Sequence, residues 1–292
     1  MGGIGDCDFK IAQISRVKSK GYINHAFESV WLVENVTHIV HKAWPMSATR
    51  PTGAYEPQFQ VMRNLLDIVR EAATVPGGRG SANSNAQGRI IGLSHDARVP
   101  ERRVPLEATR PSGYTGTEAK WVCERLLDET LNHHPGLFRA MVVRPGQIHF
   151  AFLAKSAQSL RTWPHLAGTQ QWIPVDLHAA AAAELVLNPH ALYPVYHLDN
   201  PGGQLWERMS PVLCCALGRV RTSPLAEADS PAGRQAMAGF LGARFERRSC
   251  GGLMLDVERA KEHSVTMAGV GPVSPELAIR YIVEWRKMGF LN

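Results

Sequence analysis

Thr117-Glu-Ala-Lys-Trp-Val-Cys-Glu-Arg-Leu-Leu-Asp-Glu-Thr-Leu131, followed closely by Arg139-Ala-Met-Val-Val-Arg144 and Pro145-Gly146, is the stretch on which the fold turns. Its first part sets Trp121, Val122, Leu126 and Leu127 on one side at helical spacing, which predicts an amphipathic helix over 117–131. Its second part is a short apolar run closed by Pro-Gly, which predicts a buried strand. Working toward the N-terminus, residues 36–41 (Val-Thr-His-Ile-Val-His) form a second β-branched strand and residues 9–15 a short alternating one. Phe59, Met62, Leu65, Leu66 and Val69 mark a helix over 55–73, and residues 26–34 read as another. The Gly/Ser/Asn-rich stretch 76–88 reads as a surface loop, and 89–94 as a strand with Ser94 at its C-terminal end. Toward the C-terminus come a helix over 150–160 and an Ala-rich helix after Asp176, whose carboxylate is placed to cap its first turn. A strand over 195–198 is closed by Asp199-Asn-Pro-Gly-Gly203. Beyond residue 204 the pattern is mainly helical, ending in an amphipathic helix over 275–288. Strands alternating with helices specify an α/β fold built on a parallel sheet.

The composition narrows the possible functions. In 292 residues, 45% are hydrophobic and 20% charged, which excludes whole-chain disorder. No apolar run reaches the ~18–20 residues of a membrane span. The formal charge is +6, yet basic residues occur in pairs such as Arg102-Arg103 and Arg247-Arg248. No nucleic-acid-binding motif accompanies them, so the charge reads as a solvated surface open to an acidic partner or a phosphorylated cofactor. The five cysteines are Cys7, Cys123, Cys214, Cys215 and Cys250. An odd count without Cys-x-x-Cys argues against a disulfide framework and a zinc site, and Cys123 reads as a small core residue. His38 and His41 leave opposite faces of a strand, so no metal site is expected. The opening Met1 to Lys10 has no basic segment leading into an apolar run, which points to a cytoplasmic protein.

Ligands of open parallel sheets bind beyond the carboxyl ends of the strands. The exits after His41, around Ser94, after Arg144 and after Leu198 are therefore the places to look for chemistry.

Several ordered motifs point to a family. They are Val36-Thr-His-Ile-Val-His-Lys-Ala-Trp-Pro45, Gly113-Tyr-Thr-Gly-Thr-Glu-Ala-Lys-Trp-Val-Cys-Glu-Arg125, Val143-Arg-Pro-Gly-Gln-Ile148, Trp172-Ile-Pro-Val-Asp176 and Val195-Tyr-His-Leu-Asp-Asn-Pro201. With the tail around 245–255, 270–274 and 285–291, they resemble the thioester reductase family, a branch of the extended short-chain dehydrogenases. The likeness is to the C-terminal reductase domains of fungal non-reducing polyketide synthases, and it runs from about residue 9 onward. It implies a partial Rossmann-like NADP-binding domain over 1–148. Residues 149–292 then complete the sheet and form a mainly helical substrate and carrier-protein lobe. It also implies NADPH-dependent reduction of an acyl thioester, carried on the phosphopantetheine arm of an acyl carrier protein or polyketide synthase, to an aldehyde. By resemblance Tyr114 is the proton donor. Lys120 lowers the phenol's pKa and holds the nicotinamide ribose, and Ser94 is the carbonyl-polarising hydroxyl. His41, Ala43 and Trp44 match the loop passing the cofactor. Arg144, Gly146 and Gln147 match the strand-exit turn beside the nicotinamide.

The sequence departs from the family at three points. No glycine-rich phosphate turn behind a strand is found, so the chain is expected to start near the family's third strand and to bind NADPH weakly. Five residues, not three, separate Tyr114 from Lys120. On one continuous helix those six steps turn the two side chains about 240° apart, so the family geometry requires Thr115-Gly116 to bulge out ahead of the helix. The segments after Gln147 and around 94–99 are short. If the reaction geometry is lost, the alternatives are a non-catalytic carrier-protein-binding module or an inactive remnant.

Overall fold

The computed structural model describes residues 11–13, 38–41, 51–74, 81–83, 98–104, 115–147, 150–218, 220–223, 250–251 and 254–292. In chain order the elements are β1 (Ile11–Gln13), β2 (His38–Val40), α1 (Glu56–Thr74), β3 (Ser81–Asn83), β4 (Arg98–Val99), α2 (Thr115–Thr130), β5 (Val142–Pro145), α3 (Ala151–Leu160) and β6 (Thr162–Pro164). They continue with β7 (Thr169–Gln170), α4 (Val175–Leu187), β8 (Val195–Leu198), β9 (Gln204–Leu205), α5 (Trp206–Leu217), β10 (Arg221–Ser223), β11 (Met254–Leu255), α6 (Glu258–His263), α7 (Val265–Gly269) and α8 (Pro275–Lys287).

Two compact units share these elements. One is made of Met1–Leu93, Arg102–Arg144 and Val186–Tyr196, the other of Ser94–Glu101, Pro145–Leu185 and His197–Asn292. The chain crosses between them five times.

In the first unit β2 is the centre of a parallel sheet, with Ile11 of β1 and Ser81 of β3 both in register with His38. β3 corrects the reading of 76–88 as loop throughout. Ser81-Ala-Asn83 has no apolar alternation to detect, but pairing needs only backbone N–H and C=O groups. The helix expected over 26–34 and the strand over 89–94 lie outside the described residues. Helix α1 buries Met62, Leu65, Leu66, Ile68 and Val69 in a core shared with Ile39, Cys123, Leu127, Leu131, Ala140 and Val142. The buried stripe of α2 is thus rotated from the expected one. Ala119, Cys123 and Leu127 are buried, whereas Trp121, Val122 and Leu126 are half-buried. Ala119 and Cys123 are small enough for the helix backbone to approach the sheet closely, and the bulkier side chains flank that contact. Burial, helped by the Glu124 charge, pushes the Cys123 thiol up to about 12, as fits an inert core residue.

β5 pairs with β8. Val142 N donates to Pro194 O at 2.8 Å and Gly146 N to Leu198 O at 2.7 Å. The ladder advances in the same sense on both strands, so the pairing is parallel.

The second unit is organised around tryptophan. Trp172 stacks on Phe150 at 4.2 Å and meets Trp206 edge-on at 5.1 Å. Trp163 satisfies its indole N–H on Ser210 Oγ at 3.1 Å. α3, α5 and α8 supply Leu153, Ala157, Met209, Leu213, Ala278 and Ile282 to this core. β6 pairs with β10 and β4 with β11 in parallel, and β7 with β9 antiparallel. β10 and β11 therefore interrupt the region read as mainly helical. α4 begins at Val175, so Asp176 sits inside the first turn, where it favours the helix dipole rather than capping from outside. Ser274 caps α8 by accepting from Leu277 N at 3.2 Å, with Pro275 in the first turn.

Candidate active site

In the first unit, His41 directly follows the central strand β2. It is 4% exposed, and neither ring nitrogen has a hydrogen-bond partner among the described residues. Burial pushes its imidazole below the usual histidine range, so it is neutral at physiological pH. Among the described residues these two ring nitrogens are polar groups at the carboxyl end of a parallel strand without a hydrogen-bond partner.

Lys120 is half-buried on α2. One turn further along the helix, the Glu124 carboxylate takes a fork of hydrogen bonds from Arg144, Nε to Oε1 at 3.1 Å and Nη2 to Oε2 at 2.6 Å. Arg144 also donates through Nη1 to the carbonyl of Arg102 at 3.3 Å. The side chains of Arg144 and Glu124 are 2% and 10% exposed. The next turn carries Asp128, held by Arg103 Nε at 2.5 Å and Arg125 Nη1 at 3.1 Å. A short connection joins the end of α2 to the start of β5, while Glu124 faces Arg144 near the end of β5. Helix and strand therefore run antiparallel. Lys120 lies four residues before Glu124, one turn along α2.

In the second unit the turn after β5 is packed tightly. A Cβ on Gly146 would fall 2.8 Å from Asp199 Cβ and closer still to the Asp199 carboxylate, so only glycine fits. Asn200 links three segments. Its Nδ2 donates to Trp172 O at 2.7 Å and Gly271 O at 2.8 Å, and its Oδ1 accepts from Gly202 N at 2.8 Å. Gln147 bridges to Trp172, with Ile173 N donating to Gln147 O at 3.0 Å. Gly146→Ala is expected to destabilise the protein by about 1–3 kcal/mol through overpacking. Chemical denaturation of Gly146→Ala, Asp199→Gly and the double variant tests this, glycine at 199 removing the clashing Cβ as well as the carboxylate. The double variant should recover most of the loss, and equal stabilities for wild type and Gly146→Ala would refute the packing.

Glu101, 2% exposed, accepts from His197 N at 2.8 Å, Arg259 N at 2.6 Å and Ala260 N at 3.2 Å. Burial pushes its carboxyl up to about 7, against these three donors. The folded state therefore holds the proton more tightly than the unfolded state does. The associated stability is complete below about pH 4.5 and is lost as pH rises through about 7. The wild type's stability advantage over Glu101→Gln should shrink between pH 5 and pH 8, as followed by urea midpoints. An advantage constant with pH would remove Glu101 as the titrating group.

Of the residues expected at the site, His41, Lys120, Arg144, Gly146 and Gln147 have the surroundings given above. Tyr114, Ser94, Ala43 and Trp44 lie outside the described residues. α2 is helical from Thr115, so Thr115-Gly116 do not bulge out as the family spacing of tyrosine and lysine requires, and the residue one turn ahead of Lys120 is Gly116. Glu124, Asp199, Asn200 and Glu101 were not anticipated. Among the described residues no cluster of His, Cys, Asp or Glu could hold a metal ion. None of the described helices is long and apolar enough to cross a membrane.

No family model matches the chain. A non-reducing polyketide synthase of Aspergillus terreus is 51% identical to it over 299 residues, covering 91% of this chain and 11% of the synthase. Among solved structures, the terminal R domain from the myxalamid PKS-NRPS biosynthetic pathway superposes with a TM-score of 0.69 at 21% identity, covering 92% of this chain and 73% of that one. The chain is homologous to a segment of fungal non-reducing polyketide synthases and shares the fold of that R domain. It spans about a tenth of the length of the curated relatives it matches. The reductase fold also extends to RMD from Pseudomonas aeruginosa, solved complexed with NADPH, with a TM-score of 0.53 at 13% identity over 86% of this chain and 81% of that one.

Proposed function

We propose that the chain reduces an acyl thioester, tethered to the phosphopantetheine arm of an acyl carrier protein, to an aldehyde with NADPH. The observation that supports this reading is Lys120, in the family context Ala119-Lys-Trp-Val122, one helical turn from the buried Glu124–Arg144 pair. The unsatisfied His41 ring in the cofactor loop fits a bound dinucleotide. NADPH supplies the hydride for the thioester carbonyl carbon.

The remaining steps belong to the chain. Ser94 polarises the carbonyl, and the Tyr114 phenol gives its proton to the oxygen as negative charge develops there. Lys120 holds the ribose hydroxyls. His41, Ala43 and Trp44 supply the loop that passes the dinucleotide, and Gly146 and Gln147 the turn beside the nicotinamide. The C–S bond of the resulting hemithioacetal then breaks, releasing the carrier thiol and leaving the aldehyde. The sequence has no Gly-x-Gly-x-x-Gly to cradle a pyrophosphate, so binding of NADPH by this chain alone is weak. The setting is the cytoplasm, in keeping with free thiols at Cys123, Cys214, Cys215 and Cys250.

Identity of 51% across nine-tenths of the chain lends no separate support to a binding module or remnant. The test is incubation of the full chain with a carrier-bound acyl thioester and excess NADPH, following cofactor oxidation and trapping the aldehyde. Equal amounts of oxidised cofactor and aldehyde are expected. Carrier binding without cofactor oxidation would overturn the reading, and calorimetric NADPH affinity in the micromolar range would overturn the weak-binding part alone.

A further inference from the structure

We infer that the Glu124–Arg144 pair is a positioning device for Lys120, and that Arg144 serves the reaction through Glu124 rather than by touching the cofactor. The inference rests on the role proposed for Lys120. Three donor nitrogens of Arg144 are committed, two to Glu124 and one to the Arg102 carbonyl. A forked guanidinium–carboxylate contact fixes distance and orientation together, which a single point charge does not. Desolvation offsets most of the attraction within a buried pair, so its contribution lies more in fixing one arrangement than in stability.

The arrangement fixed here is that of α2. Lys120, Glu124 and Asp128 follow one another at four-residue intervals on this helix. The two acids are clamped from outside the helix, Glu124 by Arg144 and Asp128 by Arg103. Two clamps one turn apart stop the helix from sliding along its axis and from rotating about it. A rotation by one residue would swing Lys120 through about 100°. The backbone position from which Lys120 projects is therefore fixed from Glu124, the nearer clamp.

The test separates positioning from stability by exchanging the pair as a unit. Glu124→Leu/Arg144→Met replaces both charges with apolar groups and keeps the fold. Glu124→Arg/Arg144→Glu keeps a fork with its polarity reversed. In the full chain, the acetylation rate of Lys120 by acetic anhydride is read by mass spectrometry against the chain's other lysines. The dissociation constant for NADPH is read by fluorescence. The apolar pair should unfold at the wild-type midpoint, yet change Lys120 acetylation and weaken NADPH binding by about tenfold. The reversed pair restores the fork but loses the donor to the Arg102 carbonyl, so it should lie between wild type and the apolar pair in both. Leu65→Ala, destabilised in the core of α1, should leave Lys120 acetylation unchanged. Wild-type acetylation and affinity in the apolar pair would overturn the inference. If Lys120→Met binds NADPH as the wild type does, the role proposed for Lys120 fails, and the acetylation rates still decide whether the pair positions it.

Discussion

Arg144→Ala is expected to lower the unfolding free energy by about 3–5 kcal/mol, the range for breaking a buried ion pair from one side. The loss comes from the partner left behind. Glu124 keeps its carboxylate in a place that is one-tenth exposed, with its two strongest donors removed. Truncation also empties the space of one of the largest fully buried side chains in the molecule. The thermodynamic cycle makes this checkable. Glu124→Leu should be costly for the mirror-image reason, because the guanidinium then lacks its countercharge. Glu124→Leu/Arg144→Met should lie close to wild type, since no charge is stranded. Urea denaturation of the four proteins gives the coupling. Additive losses would show that the two side chains act independently, contrary to the fork seen between them.

Lys120→Met is expected to reduce NADPH-dependent thioester turnover by about 10²–10⁴, the usual worth of a group engaged in proton transfer. Methionine keeps most of the aliphatic stem and removes only the ammonium, so the unfolding midpoint should barely move. The lysine is half-buried on a helix whose buried stripe runs through Ala119, Cys123 and Leu127. Lys120→Arg retains a cation in a different shape and should recover only part of the rate. Turnover at wild-type level in Lys120→Met would remove this residue from the reaction.

The elements legible in the sequence are those with periodicity. α1 and α8 came within a residue or two of their observed limits, and β2, β5 and β8 declared themselves as apolar runs. β3 escaped because Ser81-Ala-Asn83 pairs through its backbone alone. β10 and β11 are two or three residues long, too short for a period to register. The family motif singles out Arg144, but the sequence alone does not show its partner. Its partner lies 20 residues away, and a glutamate on an amphipathic helix reads as solvated until a strand is seen to cover it. The same limit hid Glu101, whose contacts with His197 and Arg259 span 96 and 158 residues. Asn200 was visible as part of a strand-closing Asp-Asn-Pro, but the carbonyls of Trp172 and Gly271 that it ties together were not.

The interleaving of the two units has a consequence for the nascent chain. Most of the first unit's core, from Ile39 to Val142, is synthesised before Pro145, yet the segment that completes the unit, Val186–Tyr196, is translated only after the intervening Pro145–Leu185 of the second. Until then β5 lacks β8. At roughly 5–20 residues per second this interval lasts seconds. An apolar strand with an open edge for that long is a natural target for chaperones, and for association with a neighbouring chain on the same message.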